Sequence, residues 1–79
     1  MQTYFDRRGT KLDTTLPSVR HIQDLIRNRC AVHIEMAGGF SMEGVIKWQD
    51  HEFIALRQDP SLPLALLNRS NVAVLRALG

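Results

Sequence analysis

This sequence predicts a mainly β fold, in which an N-terminal α-helix precedes about five short strands curled into a strongly bent antiparallel sheet or small open barrel. Three observations carry that expectation. Apolar residues recur at helical spacing in a single stretch, between Leu16 and Arg27. From Ala31 onward the period falls to two, broken at short intervals by turn-forming residues. With 79 residues and 44% hydrophobic content, the chain has room for one core, around which short elements must pack.

Residues 1–15 mix charge, Gly9 and threonines without a period, which reads as a flexible tail ahead of one domain over 16–79. Pro17 suits the first turn of a helix, and Thr15 or Ser18 is placed to cap its free amides. Val19, Ile22, Leu25 and Ile26 then share one helical face, with Arg20, Gln23, Asp24 and Arg27 elsewhere. In the first strand Val32, Ile34 and Met36 alternate with His33 and Glu35, and Gly38-Gly39 make the hairpin turn. The second strand, about Phe40–Trp48, holds Gly44 in its interior, the mark of a bulge or sharp bend. Gln49-Asp50 turn the chain into a third, continuously apolar strand, Phe53–Leu56. Two prolines in the loop 59–63 end that ladder, and Leu64–Arg69 and Val72–Arg76 form the last two strands.

A core this small is marginal by itself, so help from oligomerisation is expected. Disulfides cannot supply it, because Cys30 is the one cysteine, and a lone thiol fits a reducing cytoplasm. The three histidines stand far apart without zinc-ligand spacing, so no metal and no cofactor is expected. No apolar run is long enough to span a membrane. Net charge is only +2, yet eight of the ten basic residues are arginine, the side chain suited to forked contacts with phosphate and carboxylate. Any polyanion must therefore be met by local placement of charge, or by a small patch multiplied in an assembly. No histidine–carboxylate arrangement recurs around Cys30 at a recognisable spacing, and no catalytic residue is assigned.

Helix, strand, Gly39, Gly44 five residues later and Asp50 ahead of an apolar strand together resemble the Sm motif as carried by the bacterial Hfq proteins. Nearly everything after Leu16 can be laid on that family. Leu16-Pro17-Ser18-Val19-Arg20 with Gln23, and Trp48-Gln49-Asp50, look like its cyanobacterial branch. The resemblance implies a homo-oligomeric ring, roughly six subunits in this family, with five or two stacked rings as alternatives. It also implies RNA as a partner: uridine-rich on the helix-bearing face, adenine-rich opposite, and further RNA along the rim.

Carried over residue by residue, these surfaces are unequally kept. On the helix-bearing face the family's helix glutamine, glutamine–aromatic pair and lysine–histidine pair correspond here to Ser18, His51-Glu52 and Arg69-Ser70. The missing aromatic forfeits a stack of roughly 1–3 kcal/mol per base, and Glu52 sets an anion in the path of phosphates. Opposite, Glu35 stands for the stacking tyrosine, beside Gly39, Phe40 and Met42, with Glu43 a second carboxylate; Phe40 and Met42 read more readily as core or interface packing than as base contacts. The rim is kept best: Arg27 and Arg29 match its arginines, with Gln23 and Lys47 to flank them.

The expected function is that of a ring-forming, cytoplasmic RNA chaperone or post-transcriptional regulator that binds RNA weakly, chiefly at the rim. The alternative is a hub, motility- or pilus-associated, that docks a protein on its helix-bearing face. There Arg69 would attract acidic residues and Glu52 basic ones, and sequence does not choose between the two signs.

Overall fold

The structure, a computed structural model, describes residues 12–79. Most of the tail expected over 1–15, as far as residue 11, lies outside the described residues. Helix α1 spans Pro17–Arg27, followed by strands β1 (Ala31–Met36), β2 (Ser41–Gln49), β3 (Phe53–Arg57), β4 (Ala65–Asn68) and β5 (Val72–Ala77). The helix and the five strands stand where the sequence predicts them, with boundaries moved by a residue or so. A 3₁₀ turn at Arg69–Asn71 joins β4 to β5.

Pro17 occupies the first turn because its missing N–H has no helical partner to lose there. The N-cap is Leu16, with no side-chain cap, so neither Thr15 nor Ser18 takes that role. Thr15 instead bonds through its amide and hydroxyl to Asp13 Oδ1, at 2.9 and 2.6 Å. The C-terminus is tightly closed: Cys30 N–H donates to the Leu25 carbonyl and Arg29 N–H to the Ile26 carbonyl. This paired pattern requires a left-handed residue just past the helix, usually glycine, and Arg29 holds it at φ 52°.

All strand pairs are antiparallel, in the order β4-β3-β2-β1-β5. β2 is the longest strand because it serves two neighbours: its first half pairs with β1 and its second with β3. Gly44 lies near that change of partner, in regular register with Val32. A Cβ there would run into the carbonyl of Arg57. The expected bulge is thus displaced: the ladder slips between Ile46 and Trp48, and Gly44 provides a close backbone approach instead. At the β1–β2 hairpin the Met36 carbonyl accepts from Gly39 N–H, and Gly38 and Gly39 both take positive φ.

The core lies inside the curl. Val32, Ile34, Ile46, Ile54 and Leu56 are fully buried, with Leu25 of the helix and Leu67 of β4 closing over them. Each such side chain stabilises the fold by roughly 1.5–3 kcal/mol relative to exposure. β4 and β5 do not pair with each other, so the sheet ends in two open edges. Beside those edges Leu66 and Val74 remain exposed.

Candidate nucleic-acid and partner interface

Three surfaces carry the residues that sequence reasoning singled out. The first is a cavity of about 320 Å³ walled by His51, Glu52, Phe53, Asn68 and Ser70. It forms because Asp50 turns the chain into β3, its Oδ1 accepting from Glu52 N–H at 2.9 Å and Phe53 N–H at 2.7 Å. Those two amides hold the Asp50 carboxyl below the ordinary aspartate range, with smaller help from His51 and Arg69. On the other wall Asn68 Oδ1 accepts from the amide and hydroxyl of Ser70. Arg69 N–H donates to the Glu52 carbonyl at 2.7 Å, which brings the two walls together.

Of the residues singled out for the helix-bearing face, His51, Glu52 and Ser70 line this cavity, whereas Ser18 and Arg69 do not. Ser18 is exposed on the first turn of α1. Arg69 Nη1 donates to Gln49 Oε1 at 2.7 Å, with a longer contact to the Asp50 carbonyl at 3.4 Å. Gln49 Nε2 in turn donates to Gln23 Oε1 at 2.7 Å and to the Val19 carbonyl at 3.2 Å. Gln23 is therefore part of an internal polar tie joining α1, the end of β2 and the 3₁₀ turn. Phe53 and Asn68 are wall residues that sequence reasoning missed; the apolar run at Phe53 signals a core strand and conceals that its first residue faces a cavity.

The second surface lies along the outer side of α1, where Thr14, Arg20, Gln23, Asp24 and Arg27 line a groove of about 310 Å³. Arg27 Nη1 lies 2.7 Å from Asp24 Oδ1, and both side chains stay largely in water, so this pair holds the guanidinium loosely. Arg20 joins the groove although its helical position reads as plain solvated surface. Arg29 and Lys47 are exposed but lie outside this groove.

The third surface is the opposite face, with its two carboxylates around one histidine. His33 Nδ1 lies 2.9 Å from Glu43 Oε2, and His33 Nε2 lies 3.5 Å from Glu35 Oε2. Phe40 is 61% exposed at the hairpin, while Met42 packs against the core. The two residues that sequence left between base contact and packing are thus divided. Gly39, next to Phe40 in the chain, holds positive φ in the hairpin turn.

A helix-capped, five-stranded curl with open β4 and β5 edges defines the class: a small Sm-like barrel. The family model described as Hfq related matches residues 16–77, and the chain belongs to that family. Among solved structures, an Hfq protein from Anabaena sp. superposes with a TM-score of 0.70 at 26% identity, over 78% of this chain and 97% of that one. The 1.55 Å structure of the pleiotropic translational regulator Hfq superposes with a TM-score of 0.67 at 19% identity, over 73% and 93% of the two chains. No curated protein matches the sequence. Among the described residues no helix is long and apolar enough to cross a membrane.

Proposed function

We propose that this chain is a subunit of a cytoplasmic, ring-forming RNA-binding regulator of the Hfq type, a binding module and not an enzyme, which grips RNA chiefly through its arginine rim. The family match over 16–77 carries the general reading. One backbone observation supports the rim: Arg29 keeps a long cationic side chain at a left-handed position where glycine would be relaxed. Arg20, Arg27 and Lys47 add exposed cations nearby in sequence. The other two surfaces suit RNA less. The cavity offers Glu52 without the Arg69 guanidinium, and the opposite face sets Glu35 and Glu43 beside Phe40.

Ring closure is supported by the two unpaired edges, since head-to-tail pairing of β4 with a neighbour's β5 would satisfy their backbone groups and cover Leu66 and Val74. Native mass spectrometry with and without a short RNA tests both parts. The expected species is six times the 9.0 kDa chain mass, gaining the mass of RNA at low salt. A five-membered or stacked ring would keep the reading and change its geometry, and a monomer would refute it. Replacing both Arg27 and Arg29 with alanine should lower the dependence of log affinity on log salt by about 0.7 for each phosphate that is no longer neutralised.

A second reading is favoured by one observation, the turning of Arg69 away from the cavity. A ring that ignores RNA at every salt concentration would make this a protein-docking hub whose cavity prefers basic partners, the sign that sequence left open.

A further inference from the structure

The cavity walled by His51, Glu52, Phe53, Asn68 and Ser70 carries one formal charge at neutral pH, and it is negative. The Glu52 carboxylate is exposed and, among the described residues, enters no salt bridge. Among the described residues its backbone alone is engaged, to Asp50 and Arg69. The Arg69 guanidinium is held by Gln49. An aromatic wall at Phe53 and an unpaired carboxylate suit a segment that brings arginine and an aromatic ring.

The chain itself contains such a segment. Residues 1–11 hold Arg7, Arg8 and Lys11 against the single acid Asp6, with Tyr4 and Phe5 adjoining. The structure also shows where this segment departs. Thr14 lines a groove with Gln23, Gln23 is bonded to Gln49, and Gln49 to Arg69. Asn68 and Ser70, on either side of Arg69, are cavity walls. The six residues from Thr14 back to Arg8 span up to roughly 20 Å when extended, and the chain of bonded residues Gln23, Gln49 and Arg69 leads from that groove to the cavity. A tethered segment acts at an effective concentration of roughly millimolar, so weak contacts suffice.

We propose that the occupant of this cavity is the chain's own N-terminal segment, with Arg7 and Arg8 meeting Glu52 and the Tyr4-Phe5 pair lying against Phe53. The docked segment neutralises Glu52.

Zero-length carbodiimide coupling of the full-length chain, read by peptide mass analysis, tests this, because it joins an amine to a carboxylate only when the two touch. In an Arg8→Lys variant the introduced amine should link to Glu52, and that link should vanish in Glu52→Gln, whose exposed side chain holds nothing in the fold. Labelling of Glu52 by a small added amine should quicken roughly two- to fivefold when Arg7 and Arg8 are both alanine, the range for one exposed ion pair. Links from the tail to Asp24, Glu35 or Glu43 in place of Glu52, with Glu52 labelled equally in both chains, would overturn the proposal. So would protection of Glu52 that appears only when uridine-rich RNA or a foreign basic peptide is added. Neither readout depends on ring closure or on RNA affinity, so failure here is separable from failure of the regulator reading.

Discussion

In the proposed rim, Arg29 would oppose stability to function. Its left-handed backbone costs about 1–2 kcal/mol relative to a residue at ease there, so Arg29→Gly should raise stability by about 1 kcal/mol in urea unfolding while weakening RNA binding at low salt. Gly44 is the reverse case. An added Cβ meets the backbone of Arg57, its carbonyl carbon only 2.9 Å away, and Gly44→Ala should destabilise by about 1–3 kcal/mol because a strand paired on both sides has little room to move. Asp50 acts through protonation. Its carboxyl is lowered by the amides of Phe53 and Glu52, so its stabilisation is complete above the ordinary aspartate value of roughly 3.9 and lost as pH falls below it. Thermal melts of wild type and Asp50→Asn should therefore differ at neutral pH and converge in acid; equal differences at both would remove the charge from the account.

Among elements, the helix is joined to the sheet in two ways. Leu25, with Ile22 and Ile26 beside it, supplies an apolar seam, and Gln49 supplies a polar one by bonding Gln23, Val19 and Arg69 together. Gln49→Ala leaves Arg69 without its main acceptor and should cost about 1.5–4.5 kcal/mol, given roughly 0.5–1.5 kcal/mol for each of the three hydrogen bonds removed. The same variant tests the cavity. Freed of Gln49, the guanidinium gains access to Glu52, and slower labelling of that carboxylate is the expected sign. Across β2, β3 and β4, the register aligns Trp48, Ala55 and Leu66 in one row. Trp48 is 41% and Leu66 51% exposed, so this row carries apolar surface to the β4 edge.

The whole molecule is a curl whose free edges lie at β4 and β5. An exposed edge with apolar neighbours favours association, and a charge directed outward from it disfavours association. Leu66→Lys should accordingly shift the assembly toward monomers in light scattering while leaving the core, which does not include Leu66, intact. An unchanged mass would place the subunit interface elsewhere. At this scale +2 charges per chain become twelve in a six-membered ring, an increase that acts through its distribution.

What the sequence determined alone was the element order, because hydrophobic period reports directly which face each segment buries. The helix from Pro17 and the alternation of Val32, Ile34 and Met36 are local patterns and were legible as such. Local reading misplaced the cap, assigned to Thr15 or Ser18, and of the two roles it offered Gly44, bulge or sharp bend, the bulge falls between Ile46 and Trp48 instead, because cap and bulge both depend on which groups come near from elsewhere in the chain. Tertiary structure alone decided the charge of the cavity. Arg69 and Glu52 stand as equal candidates for ligand groups in a sequence; only the fold brings Gln49 within 2.7 Å of the guanidinium and sets Glu52 in the cavity wall. The physical reason is that hydrogen-bond partners are chosen by distance in space, a quantity that residues twenty positions apart do not record in their spacing.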